Sequence, residues 1–371
     1  MNLDLVAELF AENFTRHDEL GASVSVWQDG REVLSLADGW RDRDRTQPWD
    51  ADTPVLFWSA TKGLAAACVL RALGERDPMT TRVAEVWPEF AQAGKERVTV
   101  AELMSHRAGL SALAEPIEVW DYDRIVVALA AEPPHWPLGE GHGYHPRTFG
   151  FLMDELVRRL TGAPLREYWR AHFAEPLGLD VWIGVPADMA DGVAPVFPAR
   201  TAPPTGDLFY TQFLTAGSFT ARAFASPRGL HSAAAMNKPD ALTTGFPGFG
   251  GVGTARGLAK FYAMLAAHPG EAMTTTLTQG LDRVLHIETA FSCGFMRDPL
   301  DGHGRKKRSV FGPSPRGFGH PGAGGSHAFA DPDQRIGFAY VMNQMEPGVL
   351  PNAKVLRLVE ALYQPATRGS R

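Results

Sequence analysis

Val55-Leu56-Phe57-Trp58-Ser59-Ala60-Thr61-Lys62-Gly63-Leu64-Ala65-Ala66-Ala67-Cys68-Val69-Leu70 is the stretch that decides how this chain is read. An apolar, strand-like run (55–58) gives way to an alanine-rich, helix-like run (63–70). Residues three apart on a helix share a face, so a helix starting near Ser59 holds the Lys62 amine close to the Ser59 hydroxyl. A serine hydroxyl is a weak nucleophile until a neighbouring base takes its proton. Ser-x-x-Lys at a helix start supplies both from one turn of backbone. The competing reading is a chance match of common residues. Two features weigh against it: arginine carries most of the positive charge, so lysine is scarce, and no other serine has a lysine three positions on.

The rest of the chain narrows the class. With 371 residues, 44% hydrophobic and 21% charged, it has an ordinary globular composition and can bury a large core in two lobes. A net charge of −6 is no electrostatic footprint for nucleic acid. The one basic run, Arg305-Lys306-Lys307-Arg308, follows Gly304 and is expected to be a solvated loop. Cys68 and Cys293 form no Cys-x-x-Cys pair, so no disulfide framework is expected, and Cys68 suits a buried helix position. Residues 1–10 read as an amphipathic helix rather than a signal peptide, and no apolar run reaches membrane-spanning length. A cytoplasmic location with no membrane partner is the expectation.

Residues 22–27 and 32–37 alternate across Asp29-Gly30, the signature of a β-hairpin. Helical patterns at 99–104, 125–131, 148–160 and 165–173 follow, separated by Pro- and Gly-rich loops. Strand alternation returns at 326–330 and 335–343, and a last helix is expected over 352–363. The economical solution is an α+β (α/β sandwich) fold: an antiparallel sheet built from both ends of the chain and flanked by helices, with an inserted all-helical domain. The division expected is 1–75 plus 241–371 for the sheet domain and 76–240 for the helical one, with the site in the cleft between them.

Two more segments are candidates for that cleft. Gly143-Tyr144-His145-Pro146 follows a Pro-rich loop, and its tyrosine can present a hydroxyl to a cavity or simply pack. Gly319-His320-Pro321-Gly322-Ala323-Gly324-Gly325 combines glycines that allow close backbone approach with a proline that suits an edge strand; a tight turn is the alternative. Gly248 to Gly253 formally fits a dinucleotide fingerprint but lacks its preceding strand, so it is read as a helix entry near the cleft. His135, His142 and His145 have no acidic cluster beside them. No metal and no cofactor is expected, and the absence of Gly-x-Ser-x-Gly disfavours an α/β-hydrolase.

In this order, the three segments resemble the serine β-lactamases and penicillin-binding proteins, with their Ser-x-x-Lys, Tyr-x-Asn and Lys-Thr-Gly motifs. The chain looks like the class C-like branch that includes the family VIII carboxylesterases. Leu103-Met104-Ser105-His106-Arg107-Ala108-Gly109-Leu110 is similar to a further family segment, with His106 in a structural role. The resemblance implies that Ser59 is the acylated nucleophile, Lys62 its amine partner and Tyr144 a general base or proton shuttle. It also implies an oxyanion hole from the backbone N–H groups of Ser59 and Ala323, with His320 and Gly322 as substrate-binding residues of the third motif.

This sequence departs from the family twice. Tyr144-His145-Pro146 lacks the asparagine, and His320-Pro321-Gly322 lacks the lysine and threonine. The resemblance therefore points towards a carboxylesterase acting on small neutral esters through an acyl-enzyme. A β-lactamase, a D-aminopeptidase or amidase, an acyltransferase and a non-catalytic penicillin sensor are the alternatives. The loops 115–122 and 197–224 are expected to wall the pocket, with Trp120, Tyr122, Phe209 and Tyr210 forming an apolar substrate site.

Overall fold

The structure, a computed structural model, describes residues 1–366. Its strands are β1 (Gly21–Gln28), β2 (Arg31–Gly39), β3 (Val55–Leu56), β4 (Val181–Ile183), β5 (Gly251–Gly253), β6 (Thr278–Leu281), β7 (Glu288–Phe291), β8 (Met296–Arg297), β9 (Phe318–Pro321), β10 (His327–Asp331) and β11 (Ile336–Met342). The principal helices are α1 (Leu3–Arg16), α2 (Thr61–Ala72), α3 (Tyr122–Ala131), α4 (Thr148–Thr161), α5 (Leu208–Leu214), α6 (Phe219–Ala225), α7 (Ala255–Ala267) and α8 (Ala353–Leu362). An eight-stranded antiparallel sheet runs β2-β1-β11-β10-β9-β8-β7-β6, and β3-β5-β4 form a small second sheet. Both terminal regions feed the large sheet and helices flank it, which is the α+β architecture the sequence predicts.

The β1–β2 hairpin turns at Asp29 and Gly30, whose φ angles of 51° and 77° match the right-handed twist of the strands. β1 pairs along its length with β11, from Ala22 opposite Met342 to Gln28 opposite Ile336. Alternation then sorts side chains into two cores. Val24, Val26, Phe338 and Tyr340 enter one, while Ala339 and Val341 enter the other. α1 and α8 pack together over the first core. α7 crosses β1, β10 and β11 on the second. Gly337 is required there, because a Cβ would overlap the backbone of Ala259 and Ala263.

Three expectations change. β4, β5, β6, β7 and β8 are not expected from the sequence, which marks only 55–58 of the small sheet as strand-like; with two to four residues each, these strands are too short to show a period of two. β9 is not the outer edge strand, since it lies between β10 and β8. Yet β8 reaches only Gly319, so β9 is bare on that side at His320 and Pro321, and the proline costs no ladder bond there. The basic run is not a solvated loop throughout. Lys306 turns inward and bonds Asp298 at 2.9 Å and the Gly312 carbonyl at 2.6 Å. Buried Asp298 draws it in, while also accepting the backbone N–H groups of Val310 and Phe311.

Candidate active site

Ser59 lies in a 3₁₀ turn, Trp58–Ala60, that runs directly into α2. The turn is strained: Trp58 has a φ of 48°, which a bulky residue rarely adopts. β5 and Thr61 hold it there. The Phe57 N–H donates to the Gly251 carbonyl at 3.0 Å. The Thr61 hydroxyl donates to the Trp58 carbonyl and accepts the Gly251 N–H at 2.8 Å. Gly251 must be glycine, because a Cβ would strike the Phe57 ring. The glycine run read as a helix entry thus supplies a strand that braces the serine turn, as well as the approach to α7.

Lys62 is wholly buried. Its Nζ lies 3.1 Å from Ser59 Oγ, 2.8 Å from the Pro146 carbonyl and 2.7 Å from the Gly248 carbonyl. Burial first, and the Arg147 guanidinium second, push its pKa well below the ordinary 10.5. A neutral amine has two N–H bonds and one lone pair. Here two carbonyls take the N–H bonds, and the lone pair is left for the serine hydroxyl. The Gly248 carbonyl reaches this position because α4 and the 248 loop meet backbone to backbone, where a Cβ on Gly150 would overlap Gly248.

Tyr144 precedes α4 in an extended segment. Its ring lies parallel to Phe291 at 6.2 Å and edge-on to His106 at 5.0 Å, with the Lys62 amine 4.8 Å from its centroid. Burial raises its pKa above the ordinary 10.0, which the nearby Ser59 hydroxyl offsets in part. Its backbone N–H is bonded at 3.1 Å by both oxygens of Asp282. Asp282 is fully buried and also accepts from Val284 N, Leu285 N and the Thr289 hydroxyl. Asp282→Ala leaves those donors without an acceptor and is expected to lower unfolding free energy by about 3–5 kcal/mol. A urea titration checks this; an unchanged midpoint would contradict it.

The histidines near Tyr144 are structural. His145 Nε2 accepts from Leu110 N at 2.9 Å, so the proton sits on Nδ1, which donates to the Gly143 carbonyl at 2.7 Å. Burial holds its pKa down to about 3. His106 Nδ1 accepts the His145 N–H. His142 bridges the hydroxyls of Thr278 and Thr289.

The third segment closes the site. His320 is buried, and its Nδ1 lies 2.8 Å from the Pro321 carbonyl, so that nitrogen carries the proton. Desolvation and the Lys62 charge hold its pKa down to about 3, and its ring leans on Tyr144 at 5.8 Å. Gly322 presses against the Phe57 carbonyl, where a Cβ would not fit. This contact fixes the end of β9 against the run leading into Ser59. Ala323 opens the 3₁₀ turn Ala323–Gly325 that follows.

Ser59, Tyr144, His320, Gly322 and Ala323 line one cavity of about 520 Å³, with Lys62 behind Ser59. Its other walls are largely apolar, including Phe209, Tyr210, Phe213 and Phe224 from α5 and α6, and Leu285 and Met296. Trp120 and Tyr122 are not among its lining residues. Trp120 is 48% exposed and packs edge-on against Phe246. The Tyr122 hydroxyl donates to Glu155, with the Arg158 guanidinium over its ring. The reason is local: Asp121 caps α3, and Tyr122, the first residue of that helix, is held by the acids and arginines of α4. Asp282, Arg147 and the Gly248 carbonyl are the site residues that motif reading passed over. Of these, only Gly248 lies in a segment that the sequence places near the cleft.

An antiparallel sheet with a Ser-x-x-Lys turn, a buried tyrosine and a β-strand end around one cleft defines the β-lactamase/transpeptidase-like class. Residues 6–362 match the Beta-lactamase family. The esterase/beta-lactamase LipL of Mycobacterium tuberculosis is 33% identical over 362 residues, covering 92% of this chain and 81% of LipL. A penicillin-binding protein homologue from Caulobacter crescentus has a TM-score of 0.84 at 34% identity, covering 97% of this chain and 96% of that one. A family VIII carboxylesterase gives the same TM-score, identity and coverage. The chain belongs to the β-lactamase family and is a hydrolase of the β-lactamase/esterase superfamily. Among the described residues, no helix is long and apolar enough to cross a membrane.

Proposed function

We propose that this protein is a serine carboxylesterase that works through an acyl-enzyme on Ser59. The observation that carries the proposal is the 3.1 Å contact between Lys62 Nζ and Ser59 Oγ, made by an amine whose other two contacts are carbonyls. Neutral Lys62 takes the Ser59 proton as Oγ bonds to the ester carbonyl carbon. The carbonyl oxygen becomes an oxyanion facing the Ser59 and Ala323 amides; one such donor is worth roughly 10²–10³-fold. Collapse breaks the bond to the alcohol. Tyr144 gives its proton to the departing alkoxide, and the Lys62 ammonium restores it. Water then attacks the acyl carbon. Its proton passes to Lys62 and on to Ser59 Oγ, which releases the acid.

Sequence alone leaves either Lys62 or Tyr144 as the first base. The directions of the two shifts favour Lys62: its amine is driven towards the neutral form, and Tyr144 is driven towards the phenol. The apolar walls and the neutral His320 in the third segment support an ester rather than a β-lactam substrate. The names of two relatives, the esterase EstB of Burkholderia gladioli and the family VIII carboxylesterase, support the same choice. We also infer two lobes, 1–75 with 241–371 and 76–240, meeting at the cleft. The two buried free thiols suit a reducing cytoplasm.

The test is a panel of nitrophenyl esters of rising acyl length, set against a D-amino acid amide and nitrocefin. Esters should give the highest kcat/KM. A higher value on the amide or on nitrocefin would overturn the ester assignment. Transfer of the acyl group to an added alcohol in preference to water would make the protein an acyltransferase instead.

A further inference from the structure

The cavity contains a charge that the proposed mechanism leaves without a bound partner. Arg147 lines it and is 6% exposed. Its guanidinium donates to the Leu230 carbonyl at 3.2 Å and the Gly229 carbonyl at 2.6 Å, and it lies 4.6 Å from the centroid of the Phe249 ring. Nε is buried with no acceptor. Burial lowers the pKa to about 10, and no carboxylate offsets that effect. The group therefore stays cationic at neutral pH. Burying a charge without a counter-ion costs several kcal/mol.

Its place in the fold adds to the imbalance. Arg147 is the N-cap residue of α4, a 14-residue helix, and no side chain caps that end. The N-terminus of a helix carries partial positive charge from its unpaired N–H groups, so a cation there is at the unfavourable end. The same arrangement welcomes an anion. The other ionisable groups on the cavity wall do not supply one. Glu346 is bound by Lys354 at 2.7 Å, and Lys354 also meets Glu19 at 3.4 Å. His231 is held below its ordinary pKa by burial first and then by Arg147. Among the described residues, the Arg147 charge is the uncompensated one in this cavity.

We propose that Arg147 forms an anion subsite on the cavity wall, and that the preferred substrates are esters bearing a free carboxylate, such as half-esters of aliphatic dicarboxylic acids. The inference rests on the esterase assignment and narrows it. It revises the neutral-ester expectation drawn from the sequence. The apolar walls take the methylene spacer, while the guanidinium takes the carboxylate. Arg147 makes no bond to the reacting atoms; it would hold the far end of the substrate.

The experiment compares monoethyl succinate, glutarate, adipate and suberate with the ethyl alkanoate of the same acyl length. At least one half-ester should exceed its neutral counterpart by about 10-fold or more in kcat/KM, mainly through KM, the value of a charge-assisted hydrogen bond. Arg147→Gln should bring that ratio to one or below, and Arg147→Lys should restore part of it. The ratio is read within each variant, so a general change in Lys62 basicity cancels. A thermal shift with free glutarate or adipate gives a readout independent of turnover: the wild type should be stabilised and Arg147→Gln should not. Loss of all ester turnover with the shift retained would sink the esterase assignment and leave the anion subsite standing. A wild-type ratio at or below one for every length, or a ratio unchanged in Arg147→Gln, would overturn the subsite.

Discussion

Ser59→Ala should lower kcat/KM on a short aryl ester by about 10⁴-fold or more, and Lys62→Met should do nearly as much. Because the two groups act as a unit, the double variant should be little worse than either single one. A serine-directed phosphonate should label wild-type Ser59 and leave Ser59→Ala untouched. Turnover persisting in Ser59→Ala would remove the nucleophile assignment altogether. The pH profile separates the roles. A base must be unprotonated to work, so kcat/KM should rise with pH through the folded-state pKa of Lys62. That limb should lie well below the ordinary 10.5. Stability gives a second readout. Between the folded pKa and 10.5 the unfolded chain binds the proton and the folded chain does not, so stability rises with pH across that window and falls on acidification. Lys62→Met should flatten this slope. A slope unchanged by the substitution would mean that the buried amine is charged.

Tyr144→Phe should keep the fold and lower kcat by about 10²–10⁴-fold. The ring's contacts with Phe291 and His106 survive the change, and the backbone bonds to Asp282 do not involve the hydroxyl. Only the proton donor is removed. The loss should therefore depend on the leaving group: large for an alkyl ester, smaller for a nitrophenyl ester whose phenolate departs unaided. An equal loss for both would point to misplaced substrate rather than missing acid. An unchanged kcat on the alkyl ester would reduce Tyr144 to a packing residue.

The sequence yields the fold where its signals are long or chemically specific. The alternation at 22–27, the Asp29-Gly30 turn and the serial motifs suffice for the α+β frame and point to the segments that bring Ser59, Tyr144 and His320 to one cavity with Lys62 behind Ser59. What escaped is long-range or short. Asp282 is 138 residues from the Tyr144 amide it holds, and nothing around it marks a buried carboxylate. The Gly248 carbonyl carries no side-chain signature at all. Aromatics in a loop suggest a pocket wall, which is what points to Trp120 and Tyr122 in the sequence. That loop belongs to the start of α3, whereas Phe209 and Tyr210, also named from the sequence, do line the cavity from α5. The inward turn of Lys306 was hidden by its charged neighbours Arg305 and Lys307, which do remain exposed.

The register of β1 against β11 also sets an order of assembly. Gly21–Gln28 leaves the ribosome early, whereas its partner Ile336–Met342 emerges only after every other strand. The central ladder closes late, and contacts so distant in sequence form slowly. Ser59 and Tyr144 are thus synthesised well before the platform bearing His320 and Ala323 exists. A nascent or prematurely terminated polypeptide would carry Ser59 with no chamber around it, so the proposed activity at that serine would have to await synthesis of β11.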